Sequence, residues 1–170
     1  MSTATIDVIV GSKAWPRTAA SIARGAAMAA LSAAGQKKPA ELSVLLTTDG
    51  AVRKLNALYR HKDKATNVLS FPALDAGESV PRNVPRPLGD VAIAYGVLAK
   101  EAKAEGKTVK AHLSHLVVHG VLHLLGYDHD GDKDAATMER LEKKILAGLG
   151  IADPYAAPAT LSVTQKRRPR

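Results

Sequence analysis

Cysteine is absent from the 170 residues of this chain, so the protein can form neither a disulfide bond nor a thiolate metal site. Any site for a zinc-like metal must therefore be built with histidine. A chain without cysteine also fits a reducing cytosol, and the cytoplasm is the location that we expect.

Aromatic side chains are scarce, with one Trp, one Phe and four Tyr, so the protein has little means of stacking on nucleobases. Long apolar runs are absent as well. No run approaches the length of a membrane span, and the N-terminus lacks the successive basic, apolar and small-residue regions of a signal peptide. We therefore expect a globular protein with no membrane partner.

Acidic residues are in deficit, because 24 lysines and arginines stand against 16 acidic residues and give a net charge of +8. Four of the positive charges lie in the last five residues, 166–170. A basic excess of this size favours an anionic partner such as RNA. A solvated basic surface without a partner would produce the same composition, so charge supports RNA binding but does not establish it.

Hydrophobic periodicity and turn residues divide residues 1–155 into strands and helices, which we expect to form one domain. A basic tail over 156–170 follows, and its composition predicts disorder. We predict strands over 6–10, 42–47, 68–71 and 91–94, and helices over about 16–34, 96–105, 109–125 and 133–146. A further helix is capped by Thr48 or Asp49 and has Val52, Leu55 and Leu58 as its apolar positions. A proline-rich loop of roughly 17 residues separates the last two strands.

Helix-length connections between the strands permit parallel pairing. The pattern therefore predicts an α+β fold, in which a small, mixed, mostly parallel four-stranded sheet is packed with about five helices. We expect the metal site described next to lie at a helix end and the turn that follows it.

The most informative feature is a group of three histidines, His119, His123 and His129, within one short segment. Two histidines four positions apart lie on the same helix face, close enough to bind one ion. Gly126 suits the left-handed position that ends a helix, after which the chain can present His129 as a third ligand. Three imidazoles with an open fourth position are typical of catalytic zinc, so we predict one Zn²⁺ here.

This spacing also occurs in zinc peptidases, where a glutamate follows the first histidine as general base, but here Gly120 occupies that position. Zinc lowers the pKa of bound water to about 7, whereas a positioned base adds about 10²–10⁴-fold in rate. Hydrolysis thus remains feasible without the glutamate. A phosphodiester suits such a site better than a peptide, because its charge requires cations more than a carboxylate.

A second segment, residues 55–72, carries a basic run between a predicted helix and a predicted strand. Runs of this kind most often form a solvated surface. Arg60 is the candidate for a functional role, because a guanidinium binds phosphate oxygens bidentately and stays charged. His115 lies one turn before His119, where it could be a donor to a ligand, a proton shuttle or, as we favour, a core histidine.

Taken together, these segments resemble the YbeY family, bacterial endoribonucleases of ribosomal RNA maturation, over about residues 40–155. The most specific parts are the 119–129 motif, the 55–72 segment, Leu88-Gly89-Asp90, and Glu139-Arg140-Leu141-Glu142 leading to Asp153-Pro154-Tyr155. The family usually has Asp where Asn67 stands, so no role of a carboxylate is carried over to that position.

The resemblance implies a single zinc ion on His119, His123 and His129, with Arg60 facing it across a positively charged cleft. It also implies cleavage of single-stranded RNA in 16S rRNA 3′-end maturation and ribosome quality control. Ribosomal RNA, the ribosome and assembly factors would be the partners. We expect Arg60 and His119 to be the catalytic residues.

Three functions remain open at this point. The first is a zinc-dependent endoribonuclease, whose nucleophile is either water or the 2′-hydroxyl of the RNA. The second is a non-catalytic ribosome-assembly factor that zinc stabilises, and the missing glutamate supports it. The third is a metallopeptidase, which the histidine spacing supports and Gly120 opposes.

Overall fold

The computed structural model of the protein describes residues 4–74, 78–128 and 130–156. Within these residues one sheet is formed by four strands: β1 (Ala4–Val10), β2 (Ala40–Thr47), β3 (Val68–Pro72) and β4 (Arg86–Ala94). The same residues form five helices: α1 (Ala19–Ala33), α2 (Asp49–Arg60), α3 (Tyr95–Ala104), α4 (Val109–Leu124) and α5 (Asp132–Gly148). The predicted tail lies mostly outside the described residues.

The strands are ordered β1-β2-β4-β3, with β1, β2 and β4 parallel and β3 antiparallel to β4. The predicted mixed, mostly parallel sheet is thereby confirmed. Alternate side chains of β2 point to opposite faces of the sheet. Leu42, Val44 and Leu46 pack in the larger core on one face, whereas Leu45 packs on the other face.

Strand β4 begins at Arg86, five residues before the predicted start, so the predicted proline-rich loop was too long. The register between β2 and β4 shifts at Glu41/Leu42, which accommodates Pro87 within the pairing. Gly89 has φ +129°, and a Cβ there would collide with the carbonyl of Phe71. A bulge and a glycine thus extend the strand through residues whose composition is typical of a loop.

Helices α1 and α4 cover one face of the sheet and pack against each other, and α5 packs on α4. The alanines of α1 have small side chains, which lets the two helices approach closely. The opposite face is covered by α2 around Val52 and Ala92. None of the described helices combines the length and the apolar character that crossing a membrane requires.

Helix α4 lies directly against the sheet at Gly120. A Cβ at this position would be 2.6 Å from Val91 Cγ1 and 3.3 Å from Ser70 Oγ. The Ser70 hydroxyl donates a hydrogen bond to the Gly120 carbonyl oxygen at 3.1 Å. Because Val91 is β-branched and fully buried, it has little freedom to move away, so this contact requires a residue without a side chain.

We expect Gly120→Ala to destabilise the fold by about 1–2 kcal/mol, because the cost of overpacking exceeds the gain in helix propensity. Gly25→Ala in α1 is the matched control, since nothing lies within 4 Å of a Cβ there. It should stabilise the protein by about 0.5–1 kcal/mol. Urea unfolding of the metal-free variants measures both changes, and equal stability of the two would contradict the close packing at Gly120.

Candidate metal centre

Helix α4 places four histidines along one side: His112, His115, His119 and His123. The helix begins at the N-cap Thr108, whose hydroxyl accepts a hydrogen bond from the Ala111 N–H at 3.0 Å. Helix α4 contains β-branched residues, which have a lower helix propensity. The cap and the tertiary packing of its apolar residues offset this and stabilise the helix.

The C-terminus of α4 is set by Gly126, which has φ +98°. The Gly126 N–H donates to the His123 carbonyl, and the Tyr127 N–H donates to the Leu122 carbonyl, each at 3.0 Å. This pair of bonds is a Schellman motif. The predicted glycine stop after the second histidine is confirmed, and the chain turns away just before residue 129.

The Nε2 atoms of His119 and His123 lie 3.1 Å apart. The Nδ1–H of His119 donates to Glu142 Oε1 at 2.8 Å. Since a carboxylate only accepts hydrogen bonds, His119 carries its proton on Nδ1 and directs the lone pair of Nε2 toward His123. Ligand atoms around tetrahedral zinc are separated by about 3.3 Å, so the two predicted ligands stand at nearly the required distance.

His129, the third predicted ligand, lies outside the described residues. Its role therefore stays a prediction that rests on the spacing and on the turn at Gly126.

Glu142 of α5 is 1% exposed, and it was not assigned a role from the sequence. Its Oε1 accepts from His119 and, at 3.2 Å, from the Nε2–H of His115, while Oε2 accepts from the Tyr155 hydroxyl at 2.7 Å. Burial alone would raise the pKa of Glu142, but hydrogen bonds from His115, His119 and Tyr155 lower it to about 2. The carboxylate is therefore ionised at neutral pH.

His115, His119 and Glu142 also form a group that could hold a metal ion, with ligand atoms within 4.8 Å of one another. The 2.8 Å between His119 Nδ1 and Glu142 Oε1 is a hydrogen-bond distance, shorter than the separation of two zinc ligands. The geometry favours Glu142 as the acceptor that orients His119, a common arrangement behind metal-binding histidines. His115, which we expected to be a core residue, is a second donor to that acceptor.

A cleft of about 780 Å³ contains His119 and His123 together with Arg60 and Lys62. Arg60 is the last residue of α2, and its Nη2 donates to the Ser70 carbonyl oxygen at 2.8 Å. Ser70 thus contacts both walls of the cleft, because its hydroxyl bonds to α4 at Gly120. The sequence-predicted arginine and two of the predicted histidines are brought to the same cleft.

Asn67 also lines this cleft. Its Nδ2 donates to Glu101 Oε1 at 3.0 Å, and its Oδ1 accepts from the Val68 N–H at 2.7 Å. The Nε2–H of His112 donates to the same Glu101 oxygen at 2.9 Å. An amide suits this position, because an ionised aspartate there would face the Glu101 carboxylate.

Gly120, where a peptidase would carry its general base, faces Val91 and Ser70 of the sheet. A glutamate has no room at this position. The absence of the peptidase base is therefore a consequence of how closely α4 packs on the sheet.

Comparison with known proteins agrees with this architecture. The sequence model of the family described as Endoribonuclease YbeY matches residues 11–150. Endoribonuclease YbeY of Azorhizobium caulinodans is 54% identical over 158 residues, which cover 91% of this chain and 98% of the relative. Endoribonuclease YbeY of Nitrobacter winogradskyi is 49% identical over 165 residues, covering 95% and 87%.

Among solved structures, the solution structure of TM1509 from Thermotoga maritima is similar, with a TM-score of 0.54 and 18% identity. The match covers 89% of this chain and 99% of that one, and it supports the fold. The family model matches most of the chain, and two relatives share about half of their residues with it over nine-tenths or more of its length. These matches establish the family as well as the fold. The chain belongs to the Endoribonuclease YbeY family.

Proposed function

We propose that the protein is a zinc-dependent endoribonuclease that cleaves single-stranded RNA. The observation that carries this proposal is the pair of Nε2 atoms, on His119 and His123, that converge in the same cleft as the Arg60 guanidinium. The two relatives described above are both named as endoribonucleases, which supports this reaction.

Zinc would be held by His119, His123 and His129. Imidazole nitrogens suit zinc, and two of them lie 3.1 Å apart, close to the separation of two ligands on one zinc ion. When bound, Zn²⁺ supplies Lewis acidity, which activates water or polarises a phosphate oxygen. The Glu142 carboxylate keeps the proton of His119 on Nδ1, so that Nε2 remains available as a ligand.

Arg60 would bind the phosphate and offset the negative charge that develops during cleavage. Its bond to the Ser70 carbonyl fixes the side chain while leaving further N–H groups to contact phosphate. Lys62, in the same cleft, adds a positive charge along the RNA backbone. Recognition would therefore depend on phosphates, in keeping with the few aromatic rings of the chain.

The biological substrate in this proposal is ribosomal RNA, in 16S rRNA 3′-end maturation and ribosome quality control in the cytoplasm. The ribosome and its assembly factors would select the sequence to be cleaved. The family membership and the basic composition support this assignment.

The two possible nucleophiles leave different product ends. Attack by the 2′-hydroxyl breaks the P–O5′ bond and leaves a 2′,3′-cyclic phosphate, whereas attack by water leaves a linear phosphate. Mass spectrometry of the products of a short single-stranded RNA distinguishes them, and a cyclic phosphate end would exclude direct attack by water.

The ligand assignment predicts that His123→Ala loses zinc, RNA cleavage and part of its stability together, because metal-binding energy contributes to folding. Elemental analysis of the purified protein should find one zinc per chain in the wild type and little in the variant. His61→Asn is the control, since His61 has the left-handed φ of +57°, which Asn tolerates, and should retain zinc. Full zinc occupancy in His123→Ala would contradict the assignment.

For Arg60→Ala we expect a rate of RNA cleavage lower by about 10²-fold or more at unchanged zinc content, because a donor to the developing charge is lost. The cleavage rate of Arg60→Lys should lie between those of the wild type and Arg60→Ala, since lysine keeps the charge but not the bidentate geometry. Arg53→Ala, on the same helix, removes an exposed arginine that pairs with Asp63, and should cleave at the wild-type rate. Equal rates for Arg60→Ala and Arg53→Ala would exclude the proposed role.

A wild type that never cleaves RNA would favour the assembly-factor hypothesis.

A further inference from the structure

Tyr155 and His119, a proposed zinc ligand, bond to different oxygens of the Glu142 carboxylate. The Tyr155 hydroxyl donates to Oε2 at 2.7 Å, while Oε1 of the same carboxylate accepts from His119 Nδ1 at 2.8 Å. A carboxylate is planar, so holding one oxygen determines where the other points. We propose that Tyr155 is a positioning residue, which orients Glu142 and thereby directs His119 Nε2 toward the metal.

The environment of Glu142 explains why such a donor is needed. The carboxylate is 1% exposed, and an ionised carboxylate in the interior is costly unless its oxygens accept hydrogen bonds. Both described histidine donors, His115 and His119, reach Oε1. The Tyr155 hydroxyl donates to Oε2. Without this hydroxyl, Oε2 would lose its donor, and the carboxylate would rotate away from His119 to accept another hydrogen bond.

The segment that carries Tyr155 is held in place from several directions. The Lys107 ammonium donates to the Pro154 carbonyl oxygen at 2.7 Å, and the Tyr155 N–H donates to Asp153 Oδ1 at 2.8 Å. The Tyr155 ring packs edge-on against His115, with centroids 5.4 Å apart. These contacts fix the position of the ring independently of its hydroxyl, so the hydroxyl can be removed while the ring stays in place.

The inference rests on the proposed function, because it takes His119 as a zinc ligand. Partners that orient metal-binding histidines contribute about 10–100-fold to metal affinity. Tyr155 acts one hydrogen bond further from the ion than Glu142, so Tyr155→Phe should weaken zinc binding by about tenfold, at the lower end of that range.

The test measures the zinc affinity of the full-length protein by competition with a chromophoric chelator. Tyr155→Phe is compared with Tyr95→Phe, which removes a hydroxyl from a ring that packs on Trp15, with centroids 5.0 Å apart. Tyr95→Phe should keep the wild-type zinc affinity. Glu142→Gln should lose more affinity than Tyr155→Phe, and in the Glu142→Gln background Tyr155→Phe should have little further effect, because both act through the same carboxylate.

A second readout separates positioning from general stabilisation. In ¹⁵N NMR of the histidine rings of the metal-free protein, His119 should be an Nδ1–H tautomer in the wild type and in Tyr95→Phe. In Tyr155→Phe this tautomer should be less populated. A role of Tyr155 in stability alone would leave the His119 signal and the zinc affinity unchanged.

The outcomes distinguish a failure of the Tyr155 role from a failure of the proposed metal site. If the wild type binds zinc, His123→Ala does not, and Tyr155→Phe binds zinc as tightly as Tyr95→Phe, the role of Tyr155 is wrong and the metal site stands. If the wild type binds no zinc, or His123→Ala retains it, the proposed function is wrong and the inference about Tyr155 falls with it.

Discussion

The buried carboxylate of Glu142 is the group on which the arrangement of the site depends. It lies between α4 and α5 and receives hydrogen bonds from His115, His119 and Tyr155. An isolated carboxylate at this depth would destabilise the fold, so the donors and the acceptor are required together. The hydrogen bonds that stabilise the buried carboxylate include the one that fixes the tautomer of His119. In this way the packing of α5 on α4 directs His119 Nε2 toward His123.

The other wall of the cleft depends on Ser70 at the centre of β3. Its carbonyl accepts from Arg60, and its hydroxyl donates to the backbone of α4 at Gly120. One strand residue therefore links the cationic and the imidazole sides of the cleft. The close approach at Gly120 makes this link possible, and it also explains why a peptidase glutamate is absent from a site with peptidase-like histidine spacing.

Much of the fold could be predicted, because helices and strands are decided by local patterns. The four strands and five helices of the described residues were expected near their observed positions. The start of β4 was not predicted, because the pairing of its first residues depends on the register shift against β2. It also depends on Gly89, where the neighbouring strand β3 leaves no room for a Cβ. His119, His123 and Arg60 could be singled out by residue type and spacing, and the resemblance to the YbeY family was confirmed.

By itself the sequence determined the groups that lie close along the chain: the histidine pair one helical turn apart, the Gly126 stop and the basic run at Arg60. Their chemistry follows from residue type and helix geometry, which are local properties. Tertiary structure alone decided which distant residues support them. Glu142 lies 23 positions from His119, and no periodicity connects Tyr155 to either. Such partners are selected by the packing of α5 and the chain after it against α4, which no local pattern encodes.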